Sequence, residues 1–195
     1  CIGLEKQPLA CIGAKVTPPT IQRLEEFRLR APRAGAVGVD HPGWSALSQA
    51  PADGELAFLR RSARTTLTSA RRLASLTEGR TAADYPPTGL AQRLQLVSRM
   101  IAADLPTRVF FVSLDGFDTH AQQQPGHAAL LAELSGAISA FMADMAEQGQ
   151  TDRVLLATFS EFGRRLAENG SLGTDHGAAS VLFAVTPPGR GGLYG

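Results

Sequence analysis

The chain's 195 residues are enough for one domain with a substantial core, and 44% hydrophobic against 19% charged residues exclude a disordered chain. Nineteen basic and eighteen acidic residues leave a formal charge of +1, which gives no electrostatic reason for a nucleic-acid or acidic-membrane partner. No apolar run approaches the roughly 20 residues that span a bilayer, so no integral membrane segment is expected.

Residues 1–52 read as an irregular, loop-rich lead-in with one short helix, "IQRLEEFRLR", at 21–30. Cys1 and Cys11 have no histidines at zinc-ligand spacing and read as two unconnected thiols. The Gly-, Pro- and Ala-rich run that follows breaks periodicity; His41 takes no role there, and Trp44 covers a local apolar patch. From residue 53 onward the pattern is that of a single domain. Leu59, Ala63, Leu67, Ala70 and Ala74 recur at steps of three and four, which predicts a helix over 55–76. Its arginines, with no aromatics interleaved, read as a solvated face. After the turn "ADYPPTG", Leu94, Val97 and Ile101 mark a second helix at 90–103.

The second half alternates strands and helices. "RVFFVSL" at 108–114 and "RVLLATF" at 153–159 have strand length and composition, and "SVLFAV" at 180–185 is a third short strand. Between the first two, Leu131, Leu134, Ile138, Phe141 and Met145 mark a helix that Gly149 caps. Near-continuous apolar strands joined through a helix form a βαβ unit, which predicts an α/β fold with a mostly parallel sheet covered on both faces.

Functional groups of such sheets gather beyond the carboxyl ends of the strands. "DGFDTH" puts Asp115, Asp118 and His120 there, "SEFGRR" puts Ser160, Glu161, Arg164 and Arg165 at the same rim, and "GTDHG" adds Asp175 and His176. Carboxylates with neutral imidazoles are the usual ligands of divalent ions such as zinc or manganese. Arg164 is the candidate for holding an anionic substrate through its planar donor fork. Each cluster alone also reads as ordinary loop chemistry. Asp175 serves equally as a turn cap, Glu161 as half of an ion pair, Ser160 as a cap after its strand, and Asn169 as a left-handed turn residue. His127 reads as structural. Three clusters converging on one edge favour a site.

"GFDTH", "FSEFGRR", "ENGSLGTDHGAA" and the closing "GGLYG", with the lead-in "YPPTGLAQRLQLVSRMIAADLPTRVFFVSL", resemble the bacterial domain of unknown function 1501 family across residues 85–195. That family is similar to the alkaline phosphatase and sulfatase superfamily. The resemblance implies a three-layer α/β/α fold of which residues 53–195 are the C-terminal portion, with the N-terminal strands and the nucleophile upstream of Cys1. It implies metal-dependent hydrolysis of phosphate or sulfate esters, a small anionic ester as substrate, and export, often through a twin-arginine signal. Asp118, His120, Glu161, Asp175 and His176, with Asp115 as a further choice, match the expected metal ligands, for zinc, manganese or calcium. The match departs from the superfamily at "SEFG", where Glu161 replaces an Asp and Phe162 stands in the place of a His. The alternative is a non-catalytic cell-envelope or binding module on the same fold. A metal-free serine hydrolase using Ser160 is disfavoured, because "FSEFG" lacks the Gly-x-Ser-x-Gly elbow.

Overall fold

The computed structural model describes residues 54–74, 83–186 and 191–193. The expected lead-in at 1–52, with its short helix, both cysteines, His41 and Trp44, lies outside the described residues. The chain divides into two compact units, one of Cys1–Arg80 with Arg99–Val112, the other of Thr81–Ser98 with Ser113–Gly195.

In the first unit α1 spans Gly54–Ala74, with Glu55 in its first turn and Arg71 and Arg72 in its last, as the helix dipole favours. The Arg72 guanidinium donates to the carbonyls of Ala103 and Asp104 at 2.9 and 3.2 Å. These lie just past the end of α2, which spans Gly89–Ala102. Arg72 thus satisfies acceptors that a helix C-terminus leaves open. Leu59, expected on the helix's apolar face, is exposed.

The second unit is organised around the first part of α2 and the long α3, Gln123–Glu147. Thr88 caps α2 by accepting from the Ala91 amide at 3.3 Å, and the Glu133 carboxylate of α3 accepts from the Leu90 amide at 3.1 Å. Leu90, Ala91, Leu94 and Val97 are buried on α2, and Ala137, Phe141 and Met145 on α3. Both sets follow helical spacing, so each helix turns one apolar stripe inward. A polar seam runs through this core. Asp144 is fully buried and accepts from Ser98 at 2.5 Å, from Tyr85 at 2.9 Å and from Gln148 at 2.9 Å. Helix α3 ends as its sequence predicts. Gly149 is left-handed at φ 64°, its amide bonds Ala146 O at 3.0 Å, and the Gln150 amide bonds Met145 O at 2.8 Å, which is a Schellman motif.

By length and composition α3 could also span a bilayer, with mean hydropathy 1.4 over its most apolar stretch. This was hidden in the sequence because polar residues interrupt every apolar run.

The described strands are short: β1 Leu156–Ala157, β2 Gly163–Arg164, β3 His176–Gly177 and β4 Ala184–Val185. Strand β1 pairs antiparallel with β4, and β2 antiparallel with β3. Helix and short antiparallel strands therefore mix, which agrees with α/β-like content. The mostly parallel sheet does not emerge among the described residues. The runs at 153–159 and 180–185 face each other through β1 and β4, but in opposite directions, and the run at 108–114 holds a single bridge residue, Val112. Apolar patterning reports strand composition; it carries nothing about the direction of the partner. Leu155, Phe159, Val181, Leu182 and Phe183 are exposed, so these strands are not covered on both faces.

Candidate metal centre

Two loops meet at the site. The first follows the apolar run 108–114 and carries Asp118 and His120. The second leads from β2 to β3 and carries Asn169, Gly173, Thr174 and Asp175, with His176 opening β3. Glycines let these backbones approach. A Cβ on Gly173 would strike the His120 carbonyl and lie 2.6 Å from the Ala121 amide nitrogen, and one on Gly177 would lie 2.6 Å from the Arg165 amide nitrogen. Backbone bonds from Gln122 to Ser171 O at 2.9 Å and from Gln123 to Leu172 O at 2.8 Å tie the loops together. Leu172 takes the left-handed conformation at φ 60°; the expectation had placed that turn at Asn169. Asn169 instead accepts with its side-chain oxygen from the amides of Ser171 at 2.9 Å and Gly173 at 3.1 Å. This Asx turn performs the reversal through a side chain.

At the centre is one oxygen, Oδ1 of Asp118. His176 Nε2 bonds it at 2.8 Å, His120 Nε2 stands 3.1 Å away, and Arg164 Nη2 lies at 3.5 Å. The donor atoms of Asp118, His120 and His176 all fall within 4.8 Å of one another. The hydrogen bond from His176 holds the Asp118 carboxyl below its ordinary 3.8, and the charges of His176, His120 and Arg164 act in the same direction. A second carboxylate backs the cluster. Asp175 Oδ1 lies 3.7 Å from His120 Nδ1 and accepts from Asn169 Nδ2 at 3.1 Å. The Asn169 bond holds the Asp175 carboxyl low as well, helped by the Arg165 charge.

Of the six metal-ligand candidates, the structure brings Asp118, His120 and His176 together as donors. Asp175 stands behind His120, and Glu161 and Asp115 are exposed outside the group. Arg164 spans the two loops. Its guanidinium donates to Thr174 O and, at 2.7 Å, to Phe117 O, and its side chain is only 17% exposed, so protein carbonyls already occupy much of the fork. Ser160 accepts from the Phe162 amide at 3.4 Å, the local cap expected of it. His127 sets its ring edge-to-face with Phe117, centroids 5.6 Å apart.

Two participants were not anticipated. Phe162 stacks on His176 with centroids 4.7 Å apart and planes 17° apart, and the Arg164 guanidinium lies 4.9 Å from the Phe162 centroid. Asn169 fastens both Asp175 and, through a 3.0 Å bond, the His120 carbonyl. The sequence signal for Asn169 was its spacing to Gly173, which fits an Asx turn; Phe162 had no signal beyond its departure from the superfamily pattern. A cavity of about 360 Å³ opens beside Gly173 and Thr174, with His127, Leu131 and Glu168 in its wall.

A family profile described as "Protein of unknown function (DUF1501)" matches residues 19–186. The chain belongs to that family. All the centre's residues fall inside the DUF1501 match. No curated protein and no solved structure matches the chain.

Proposed function

We propose that the protein is a metal-dependent hydrolase of phosphate or sulfate esters in which Asp118, His120 and His176 hold the divalent ion. The observation that carries this reading is the convergence of two imidazole nitrogens on one carboxylate oxygen, with all three side chains about half exposed at 49–58%. Structural zinc sites are closed by four protein ligands, whereas three protein donors leave positions for water and substrate. Two imidazoles and one carboxylate suit zinc, manganese or iron(II); calcium prefers six to eight oxygens and fits less well. When bound, the ion supplies Lewis-acid polarisation of the ester's phosphoryl or sulfuryl oxygen.

The chain's own groups support an anionic substrate. Asp118 stays ionised and ready to ligate. Arg164 contributes a fixed positive charge 3.5 Å from Asp118, and the exposed Arg165 adds a second cation near Asp175. The same reading sets the described elements in a three-layer α/β/α domain with a mostly parallel sheet. The exposed Leu155, Phe159, Val181, Leu182 and Phe183 are side chains that such a sheet buries. Helix α3 then serves as a packing helix, consistent with its buried Asp144.

The test is hydrolysis of p-nitrophenyl phosphate and p-nitrophenyl sulfate by the whole protein, nucleophile included, loaded in turn with zinc, manganese, iron(II) and calcium. Turnover that a chelator abolishes and metal restores is expected, falling more than about 100-fold in His176→Ala. Turnover indifferent to chelator contradicts the reading. A whole protein that binds metal but hydrolyses neither ester points to the binding-module alternative.

A further inference from the structure

The centre contains more carboxylate than one three-donor site needs, and the geometry sorts it. Asp118 uses one oxygen toward both imidazoles, on the Nε2 side of each ring. Asp175 stands on the opposite side of the His120 ring, toward Nδ1 at 3.7 Å. A carboxylate there cannot share an ion with Asp118 and His120 Nε2. At 3.7 Å the contact is longer than a direct hydrogen bond, but a carboxylate on that side of the ring favours a proton on Nδ1, and an imidazole protonated at Nδ1 has its Nε2 lone pair free.

We propose that Asp175, held by Asn169, is a positioning residue that fixes the ring and tautomer of His120, and that the centre takes a single ion. The inference rests on the metal-centre reading above. Three observations converge on it. Asn169 Nδ2 donates to Asp175 Oδ1 at 3.1 Å and to the His120 carbonyl at 3.0 Å, so one amide sets the carboxylate and the ring's own backbone in register. The Asn169 side-chain oxygen is fixed by two amides, which determines which way its donor faces. The second imidazole has a different support, since the face of His176 lies on Phe162. Each histidine thus has its own support, one polar and one aromatic.

The experiment is calorimetric titration of the metal-free chain with zinc, in the parent, His120→Ala, Asp175→Asn and Asn169→Asp, with circular dichroism confirming the fold of each. Asn169→Asp keeps the acceptor for Ser171 and Gly173 but faces a carboxylate with a carboxylate. One zinc per chain is expected in the parent. Asp175→Asn and Asn169→Asp should keep one zinc per chain with affinity lowered about 10- to 100-fold, while His120→Ala loses far more. Cobalt(II) bound to Asp175→Asn should show a shifted visible spectrum, because a rotated or re-protonated imidazole changes the ligand field. Unchanged affinity and spectrum in both folded variants overturn the positioning role. Two zinc ions in the parent and one in Asp175→Asn make Asp175 a ligand instead. If the parent binds no zinc, the metal-centre reading itself fails. Should Asp175→Asn not fold, Asn169→Asp alone decides.

Discussion

Asp118 is the most heavily engaged residue of the site, with two imidazoles and a guanidinium around a single oxygen. Its depressed carboxyl fixes the sign of an acid titration. A group whose folded value lies below its unfolded value contributes stability above the unfolded value, and this is lost as pH falls through the folded one. The Asp118 contribution is therefore complete at neutral pH and disappears only below 3.8, the ordinary aspartate value. Carbon-detected NMR of the Asp118 carboxyl should show a midpoint below 3.8, and His176→Ala should move it upward by removing the largest cause. At this scale the sequence was informative about which side chains gather and poor about how each faces the others. Asp118, His120 and His176 were legible because Asp-x-His and Asp-His sit beside apolar runs. What separates Asp175 from Asp118 is which ring nitrogen each faces, and spacing does not encode that. Glu161 has the chemistry of a ligand but is carried away from the triad, while its neighbour Phe162 reaches His176.

At the scale of elements, the site depends on loops that only small residues allow to touch. Gly173 has the backbone of His120 where a side chain would begin. Gly173→Ala should destabilise the chain by about 1–3 kcal/mol in urea denaturation and weaken zinc binding as well, because the clash lies against the backbone of His120, one of the three proposed ligands. Gly149→Ala should cost about 1 kcal/mol through its left-handed C-cap while leaving zinc affinity unchanged, since it stands at the far end of α3 from the His120 loop. Comparing the two separates a site effect from a general loss of stability. The helices were legible because each carries its own period: α1 and α2 lie close to the expected 55–76 and 90–103, the apolar positions marked between 131 and 145 all fall inside α3, and Gly149 caps as read. Strands are different, because direction and register belong to pairs. The runs at 153–159 and 180–185 hold the composition of buried parallel strands and yet meet antiparallel, two residues deep.

For the molecule as a whole, the second unit is held by an apolar helix pair with a polar seam. Asp144 takes three donors, and its loss removes the acceptor that Ser98, Tyr85 and Gln148 share, while Gln148 keeps its 2.9 Å bond to the Ser98 hydroxyl. Asp144→Ala should lower unfolding stability by about 2 kcal/mol, read by urea denaturation, the cost of taking a buried acceptor out of a hydrogen-bond network. This seam was not read from the sequence, where Asp144 was one more charge on a helix, because burial of a carboxylate shows only once its partners from 59 and 46 residues away arrive. The same dependence on distant partners joins the two loops of the proposed metal centre. X-ray absorption at the zinc edge of the zinc-loaded chain reports the ligands directly. Two imidazoles and oxygen donors are expected, with nitrogen near 2.0–2.1 Å and no sulfur. A sulfur shell near 2.3 Å, which would place Cys1 or Cys11 on the ion, or a spectrum without imidazole scattering, would contradict that expectation.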